Sequence, residues 1–281
     1  MTKYPLKNST IAILSIAILG LTSCKKNLTD ETEVAAVQSL SIAEVEDDNL
    51  QIMADQAYAE GSVPDLRIAP DNSIDLLTTC AIVTRDTISS PRIITIDFGT
   101  GCTNSYGTTR KGKIFVSYTG RYRDVGTVIH ITSQNYYVND NKVDIDRTVT
   151  NQGENNNGNL VFGVQATRTV TFSDGTTCTS ISSRSREWIE GITTSTFTDD
   201  VYSVTGTGTH LSRRGILYDA ATVTPLIRKV ACREFVSGEA KIIRHGATDR
   251  YGIINFGNGD CDETASVTLD NGRTFTISLR H

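Results

Sequence analysis

Residues 160–172, LVFGVQATRTVTF, alternate between apolar and polar side chains. One side of this stretch is apolar except at Arg168 and consists of Leu160, Phe162, Val164, Ala166, Val170 and Phe172. The other side includes Gly163, Gln165, Thr167, Thr169 and Thr171. Because successive side chains of a β-strand point to opposite faces, the pattern predicts a strand in a sheet with one dry face and one wet face.

The same texture continues outward over residues 71–281, which are rich in Thr, Val, Ile, Tyr and Gly. Candidate strands lie at 80–87, 91–99, 111–120, 127–138, 143–150, 160–172, 177–190, 200–210, 216–230, 236–245, 251–256, 264–269 and 273–280. Turn-forming triplets separate several of them, at 139–141, 173–175 and 270–272. Long strands that follow one another through hairpins predict an all-β domain, a large antiparallel meander. The pattern leaves its shape open between a curved sheet, an open barrel and two packed sheets.

The first 23 residues have the pattern of a signal peptide. Lys3 and Lys7 precede the apolar run 11–21, IAILSIAILGL. A helix of that length rises roughly 16 Å, so it cannot cross a hydrocarbon core about 30 Å thick. The run ends in Leu-Thr-Ser-Cys at 21–24, which resembles the lipobox of bacterial lipoproteins. This resemblance implies cleavage before Cys24 and acylation of its thiol. The alternative is an ordinary secretory signal with an incidental cysteine.

An acylated Cys24 would make the lipid bilayer of the cell envelope the first partner of this chain, because several acyl chains together anchor a protein stably. Lys25 follows the cysteine, where lipoproteins retained in the inner membrane often carry Asp, so we expect outer-membrane delivery. Asp30 and Glu31 come later than the acidic residues of surface-exported lipoproteins. The sequence therefore does not choose between the periplasmic and the surface-exposed leaflet.

The next segment, residues 24–70, is strongly acidic. Between positions 27 and 66 there is no Lys or Arg, but there are ten acidic residues: Asp30, Glu31, Glu33, Glu44, Glu46, Asp47, Asp48, Asp55, Glu60 and Asp65. Such a composition is typical of a solvated spacer that repels itself and extends, so we expect an acidic tether. Ser41 and Glu44 fit a capping box and make a short helix over 41–60 the alternative. A charged docking strip for a partner is a further interpretation.

Charge and motifs exclude several classes of protein. The chain has a net charge of −5, and residues 67–281 are nearly neutral with 23 basic and 22 acidic residues, so no nucleic acid partner is expected. No Gly-rich loop opens a helix, which argues against nucleotide-binding α/β folds. HExxH, GxSxG and calcium-loop patterns are absent from the sequence, so we predict no catalytic residue, no metal and no cofactor.

Five cysteines remain beside Cys24, and an oxidising envelope favours disulfides between them. We predict two disulfides and one free thiol: Cys80–Cys102, Cys232–Cys261 and Cys178. Each bridge would contribute about 2–4 kcal/mol by closing a loop of roughly twenty to thirty residues. A metal site is not expected because there is no CxxC motif and no histidine beside either pair.

Four segments carry a resemblance to a known family: 94–120 (ITIDFGTGCTNSYGTTRKGKIFVSYTG), 135–138 (NYYV), 186–188 (REW) and 256–262 (FGNGDCD). Together they resemble a family of uncharacterised Bacteroidota envelope lipoproteins over roughly residues 80–281. The resemblance implies a β-rich envelope lipoprotein and supplies no catalytic residue. Cys178 departs from it, since an ordinary strand residue is expected there.

One group of side chains is a candidate glycan-binding face: Tyr118, Tyr122, Tyr136, Tyr137, Arg121 and Arg123. Tyr and Arg are also ordinary cross-strand neighbours on an exposed sheet, and this alternative stays open.

Three functional hypotheses follow. The first is a non-catalytic envelope lipoprotein that is structural or binds a glycan or an envelope protein. The second is a carrier or chaperone of apolar ligands inside a curved sheet. A continuous apolar groove would support it, and an interior packed shut by Phe162, Val164 and Phe172 would contradict it. The third is an enzyme, which would need two carboxylates within reaction distance in a deep pocket.

Overall fold

The structure is a computed structural model, and it describes residues 28–59, 80–86, 88–104, 107–194, 196–232 and 234–279. The predicted signal peptide, Cys24 and the acidic residues Glu60 and Asp65 lie outside the described residues. The described chain begins with helix α1, Leu28–Ala59, and continues as β-strands. Over the residues described, no helix has both the length and the apolar composition that crossing a membrane requires.

The strands form one antiparallel sheet. They are β1 Ile82–Asp86, β2 Arg92–Asp97, β3 Cys102–Thr103, β4 Thr109–Tyr118, β5 Val128–Val138, β6 Asn141–Glu154, β7 Leu160–Thr171, β8 Thr177–Glu190, β9 Val201–Leu211, β10 Leu217–Lys229, β11 Phe235–Arg244, β12 Arg250–Asn258, β13 Thr264–Leu269 and β14 Thr274–Ser278. Their order in the sheet follows the chain, except that β2 pairs with β4 and the short β3 also pairs with β4. Strands β1 and β14 are the two edges, so the sheet is open. The predicted antiparallel meander is confirmed, as a single sheet and not two packed ones.

Strand β7 shows how the alternating sequence gives the sheet one buried and one exposed face. Leu160, Phe162 and Val164 are buried, whereas Gln165 and Thr167 on the opposite face are exposed. The strand is hydrogen-bonded along its length to β6 on one side and β8 on the other. The burial pattern shows that its outer face meets water and its inner face meets protein. The apolar side chains of β7 therefore point into the interior.

Helix α1 lies inside the curve of the sheet. Arg85 of β1 donates a hydrogen bond to the carbonyl oxygen of Ala57 at 2.9 Å, and Gln38 donates one to the carbonyl oxygen of Ser278 in β14 at 2.8 Å. Arg168 of the central strand β7 also reaches the helix, with Nη1 2.9 Å from Asp47 Oδ1. Because one helix contacts both edges and the middle of the sheet, the sheet must wrap around it.

The expectation of a solvated spacer is therefore wrong for residues 28–59. All residues from 48 to 57 are buried, including Gln51 and Ile52. The alternative of a short helix is nearer to the structure, but α1 starts well before Ser41, whose hydroxyl donates to the carbonyl oxygen of Val37 within the helix instead of capping it. The acidic residues tolerate this environment because the sheet supplies their counter-ions.

The two ends of the wrapped sheet are distinguished by the ends of α1. We call the amino rim the turns 139–140, 172–176, 212–216, 245–249 and 270–273, since the first turns of α1 lie there. We call the carboxyl rim the connections 119–127, 155–159, 191–200, 230–234 and 259–263, since Tyr58 near the end of α1 packs there against Tyr118 and Tyr122. In a meander, successive turns lie at opposite ends of the sheet, so every second turn belongs to the same rim.

Both predicted disulfides are present. Cys80 and Cys102 are bonded with their Cα atoms 5.7 Å apart, and Cys232 and Cys261 with theirs 5.4 Å apart. These separations lie in the ordinary range for a disulfide. Cys178 is a free thiol, as predicted.

Candidate functional site

Arginines of the inner face of the sheet, and Arg273 of the amino rim, pair with the acidic residues of α1. Seven carboxylates are matched in this way: Asp30 with Arg273, Glu33 with Arg244, Glu44 with Arg184, Glu46 with Arg110, Asp47 with Arg168, Asp48 with Arg228, and Asp55 with Arg186. The negative charge of the helix is thus complementary to the positive charge of the surface that encloses it.

The pairs near the carboxyl rim are deeply buried. Arg228 Nε donates to Asp48 Oδ2 at 2.6 Å, and its Nη2 donates to Asn49 Oδ1 at 2.8 Å. Arg186 Nη1 donates to Asp55 Oδ2 at 2.9 Å. Burial raises the pKa of Asp55, and the charge of Arg186 opposes that rise. These ions are held without water, so each depends on its partner.

Aromatic rings fill the rest of this half of the interior. Tyr122 packs against Phe162, with ring centroids 4.9 Å apart, and against Trp188 at 6.2 Å. Trp188 packs in turn against Tyr202 at 5.6 Å, and the Arg186 guanidinium lies 3.5 Å over the Tyr202 ring. Near the carboxyl rim the interior is therefore packed shut, and Phe162 and Val164 are buried, which is the arrangement expected to contradict the carrier hypothesis. Phe172, the third residue of that test, instead lines an open cleft.

Near the amino rim the helix and the sheet separate and leave a cleft. It has a volume of about 930 Å³ and lies between α1 and the inner face of β5 to β11. Its walls are mainly apolar and include Leu40, Ile42, Val143, Ile145, Val170 and Phe172. Small side chains on the helix, Ala35, Ala36 and Ser39, leave the space that larger ones would fill.

The cleft opens at the amino rim and runs deep along the helix. Glu31, Arg213 and Arg214 line its outer part and are exposed, whereas Leu50 and Met53 line its inner end and are buried. Between Glu31 and Met53 the helix rises roughly 33 Å at 1.5 Å per residue. The site is thus a long apolar slot with polar groups at its mouth.

Three polar side chains of two neighbouring strands face the middle of the interior: Cys178 and Ser180 of β8 and His210 of β9. The Oγ of Ser180 and the Nδ1 of His210 lie 2.8 Å apart and share a hydrogen bond. Burial lowers the pKa of His210 to about 4, and the nearby charge of Arg168 adds to the shift. Burial also raises the pKa of the Cys178 thiol. His210 is therefore neutral at neutral pH and Cys178 keeps its proton, so both are suited to contact an apolar ligand.

The carboxylates inside the cleft are already engaged. Glu46 Oε2 lies 3.4 Å from Arg110 Nη2, and Asp47 Oδ1 lies 2.9 Å from Arg168 Nη1. A carboxylate held by an arginine is a poor general acid, so neither Glu46 nor Asp47 is well suited to that role. Among the described residues, no group of three or more His, Cys, Asp and Glu side chains is placed to hold a metal ion.

The candidate glycan-binding residues do not share one surface. Tyr118 and Tyr136 are buried inside the sheet, where Tyr118 packs on Tyr58 and Tyr136 accepts a hydrogen bond from Arg110 Nε at 3.2 Å. Tyr122 belongs to the packed aromatic cluster already described. As a single exposed face the set is wrong, because alternate residues of β4 and β5 point inward to the helix.

The remaining three candidates lie apart from these tyrosines. Tyr137 is half-buried and follows the inward-pointing Tyr136 in β5, so it belongs to the opposite face of that strand. Arg121 and Arg123 are exposed on the carboxyl rim, and the Arg123 guanidinium lies 4.9 Å over the Trp188 ring. None of the three lines the cleft.

Sequence reasoning missed the helix as one wall of a site and missed His210 and Cys178 as lining residues. One signal was available, because Arg168 interrupts an apolar face that is otherwise continuous. An inward arginine needs a buried carboxylate, and the only strongly acidic segment of the chain is residues 27–66.

Comparison with known proteins adds no assignment: no family model matches the chain, and neither a curated protein nor a solved structure matches it.

Proposed function

We propose that the protein is an acylated lipoprotein of the cell envelope that binds an apolar ligand in the cleft between α1 and the sheet. The observation that carries the binding proposal is the cleft itself, about 930 Å³ and lined mainly by apolar side chains. Small-molecule sites are concave, mostly apolar and roughly 300–1,000 Å³ in volume, with a few polar groups that orient the ligand. His210 and the arginines of the amino rim supply such groups.

The carrier hypothesis fits this interior better than a glycan-binding or purely structural role. Glycans are recognised by exposed aromatic and polar groups, whereas Tyr118 and Tyr136 are buried, Tyr118 against Tyr58 of α1 and Tyr136 against Phe98. A purely structural domain has no need of an open apolar slot, because unfilled space inside a protein lowers its stability. The interior charges are matched within the protein, so the proposed activity is binding and not catalysis.

Membrane attachment rests on the sequence. The Leu-Thr-Ser-Cys motif at 21–24 would give an acylated Cys24 at the start of the mature chain, and Lys25 favours delivery to the outer membrane. Mass spectrometry of protein extracted from envelopes should find lipid on Cys24. A Cys24→Ser variant that still fractionates with membranes would contradict this anchor.

Ligand binding can be tested by filling the cleft. The variant Ala35→Trp places a large ring at an exposed helix position that lines the cleft, and Thr167→Trp places the same ring on the outer face of β7 as a matched control. Pyrene-labelled dodecanol, a neutral apolar chain, should bind to wild type and to Thr167→Trp but not to Ala35→Trp. Thermal unfolding of all three proteins shows whether each is folded.

Cys178 gives an independent readout in the unmodified protein. It is the free thiol of the described chain and lines the cleft, so bound probe should slow its alkylation by N-ethylmaleimide. Equal binding of the probe by Ala35→Trp and wild type, with no protection of Cys178, would show that the cleft is not the binding site.

A further inference from the structure

We infer that the ligand of the cleft is an anionic lipid of the membrane to which the protein is attached, with an acyl chain in the slot and its head group at Arg214. This inference rests on the proposed function and adds to it the source of the ligand and the charge of its head. Three features carry it: the position of the cleft mouth relative to Cys24, the length of the slot, and the charge at its mouth.

The mouth of the cleft lies close to the anchor. Helix α1 begins at Leu28, four residues after Cys24. Four residues of fully extended chain span at most about 14 Å. Since Glu31 and Glu33 in the first turns of α1 line the cleft, an acylated Cys24 would hold the amino rim against the head groups of the bilayer. A lipid could then pass between the bilayer and the cleft over a short path.

The slot is long enough to take an acyl chain. The hydrocarbon core of a bilayer is about 30 Å thick, so one leaflet contributes chains of roughly 15 Å. The slot follows α1 for roughly 33 Å from Glu31 to Met53, so a single chain fits with its head at the mouth. Apolar walls on both the helix side and the sheet side would replace the contacts that the chain makes in the bilayer.

The mouth carries the exposed carboxylate of Glu31 as well as arginines, so a single arginine and not a net positive charge must select the head group. Four arginines line the cleft: Arg168, Arg213, Arg214 and Arg244. Three are neutralised, because Arg168 pairs with Asp47, Arg213 with Asp174 and Arg244 with Glu33.

Arg214 is the exception among them. It is exposed, and it makes no ion pair or hydrogen bond with any other residue in the part of the chain that the structure describes. An arginine without a carboxylate partner is free to bind a phosphate or carboxylate oxygen of a lipid head. Arg168, the arginine that lines the interior of the slot, already pairs with Asp47. The head group is therefore expected to stay at the mouth.

The test measures lipid uptake from vesicles by the acylated protein purified from envelopes. Vesicles of phosphatidylcholine carry either pyrene-labelled phosphatidylglycerol, which is anionic, or pyrene-labelled phosphatidylcholine, which is zwitterionic. Loss of excimer fluorescence reports transfer of the labelled lipid to the protein. Wild type should prefer the anionic lipid by about tenfold, because both lipids offer a phosphate to Arg214 but the positive choline of phosphatidylcholine is repelled by the same guanidinium.

Two variants assign that preference. Arg214→Gln should lose the tenfold preference while it still takes up both lipids, whereas Arg121→Gln removes an exposed arginine from the carboxyl rim and should keep the preference. Ala35→Trp should take up neither lipid. Because Arg214 and Arg121 are both exposed, neither change is expected to alter folding, and thermal unfolding verifies it.

The outcomes separate this inference from the proposed function. If wild type takes up both lipids equally and Arg214→Gln changes nothing, the cleft binds apolar chains but the assigned head group is wrong. If a pyrene-labelled fatty acid added from solution binds through Arg214 while vesicle lipids do not transfer, the membrane source is wrong. If no chain binds and Ala35→Trp is indistinguishable from wild type, the proposed function itself is wrong.

Discussion

The same helix fills the two halves of the sheet interior in different ways. Towards the carboxyl rim every residue from 48 to 57 is buried, and aromatic rings close the remaining space. Towards the amino rim only every third or fourth residue of 30–47 is buried, and a cleft of about 930 Å³ separates the helix from the sheet. One element is thus a core helix at one end and the wall of a cleft at the other.

The ion pairs of the two halves differ in the same sense. The side chains of Arg228 and Asp48 are 1% and 8% exposed, whereas those of Arg184 and Glu44 are 11% and 31% exposed. Water and salt screen the second pair but not the first. The same kind of ion pair therefore contributes differently to the free energy of unfolding in the two halves. The difference indicates that stability resides near the carboxyl rim and leaves the amino rim free for binding.

The largest effect is expected where a buried charge loses its partner. Asp48→Ala would leave Arg228 buried without its carboxylate, which should lower the free energy of unfolding by about 3–5 kcal/mol. Asn49 continues to accept from Arg228 but cannot balance its charge. Urea unfolding of wild type and variant measures the loss. A loss below about 1 kcal/mol, the size typical of exposed pairs, would remove the distinction between the halves.

A second pair of variants compares apolar packing in the two halves. Ile52 is fully buried, so Ile52→Ala should cost about 2–5 kcal/mol through lost contacts and the cavity left behind. Ile42 lines the open cleft and is only half-buried, so Ile42→Ala should cost roughly 1 kcal/mol or less. Thermal or urea unfolding compares them directly. Equal losses would mean that the cleft closes in solution around Ile42.

The third effect is a pH dependence that belongs to the amino half. His210 has a folded pKa of about 4, below the ordinary value of 6.5, because it is buried. Between these values the unfolded chain binds a proton that the folded protein does not, so stability falls as pH falls. With a discount for partial exposure, the loss between pH 7 and pH 5 should be about 1 kcal/mol.

The variant His210→Gln isolates this term. It keeps a polar partner for Ser180 but cannot titrate, so its unfolding free energy should fall less than that of wild type between pH 7 and pH 5. Urea unfolding at a series of pH values gives the difference, in which the other titrating groups cancel. Identical curves for the two proteins would show that His210 is solvated.

Much of the sheet could be predicted from local patterns, because the two faces of a strand are visible as alternating apolar and polar residues in its own sequence. The alternation in 160–172 corresponds to β7, and the two disulfides are the predicted pairs Cys80–Cys102 and Cys232–Cys261. The helix was mistaken for a spacer because charge was counted along the segment alone. Asp48 and Arg228 are separated by 180 residues, so their mutual neutralisation is visible only in the fold.

The cleft lay beyond sequence reasoning for a related reason. It exists where small residues of α1, such as Ala35 and Ala36, face strands that come from several distant parts of the chain. The spacing between these elements is a property of how the sheet curves, and no local pattern records it. What the sequence does contain is Arg168 inside an apolar face, which pointed to an acidic partner without identifying it.

The smallest effect is expected for the partly exposed pair of the amino half. Glu44→Ala removes the carboxylate that Arg184 contacts and should cost about 1 kcal/mol, because water can take the place of the partly exposed carboxylate beside the guanidinium. Salt should shrink this cost further, since added ions screen a half-exposed pair, while the cost of Asp48→Ala should change little. Urea unfolding at low and high salt provides both comparisons. A salt-independent loss of several kcal/mol for Glu44→Ala would mean that this pair is as dry as Asp48 and Arg228, and the distinction between the two halves would be lost.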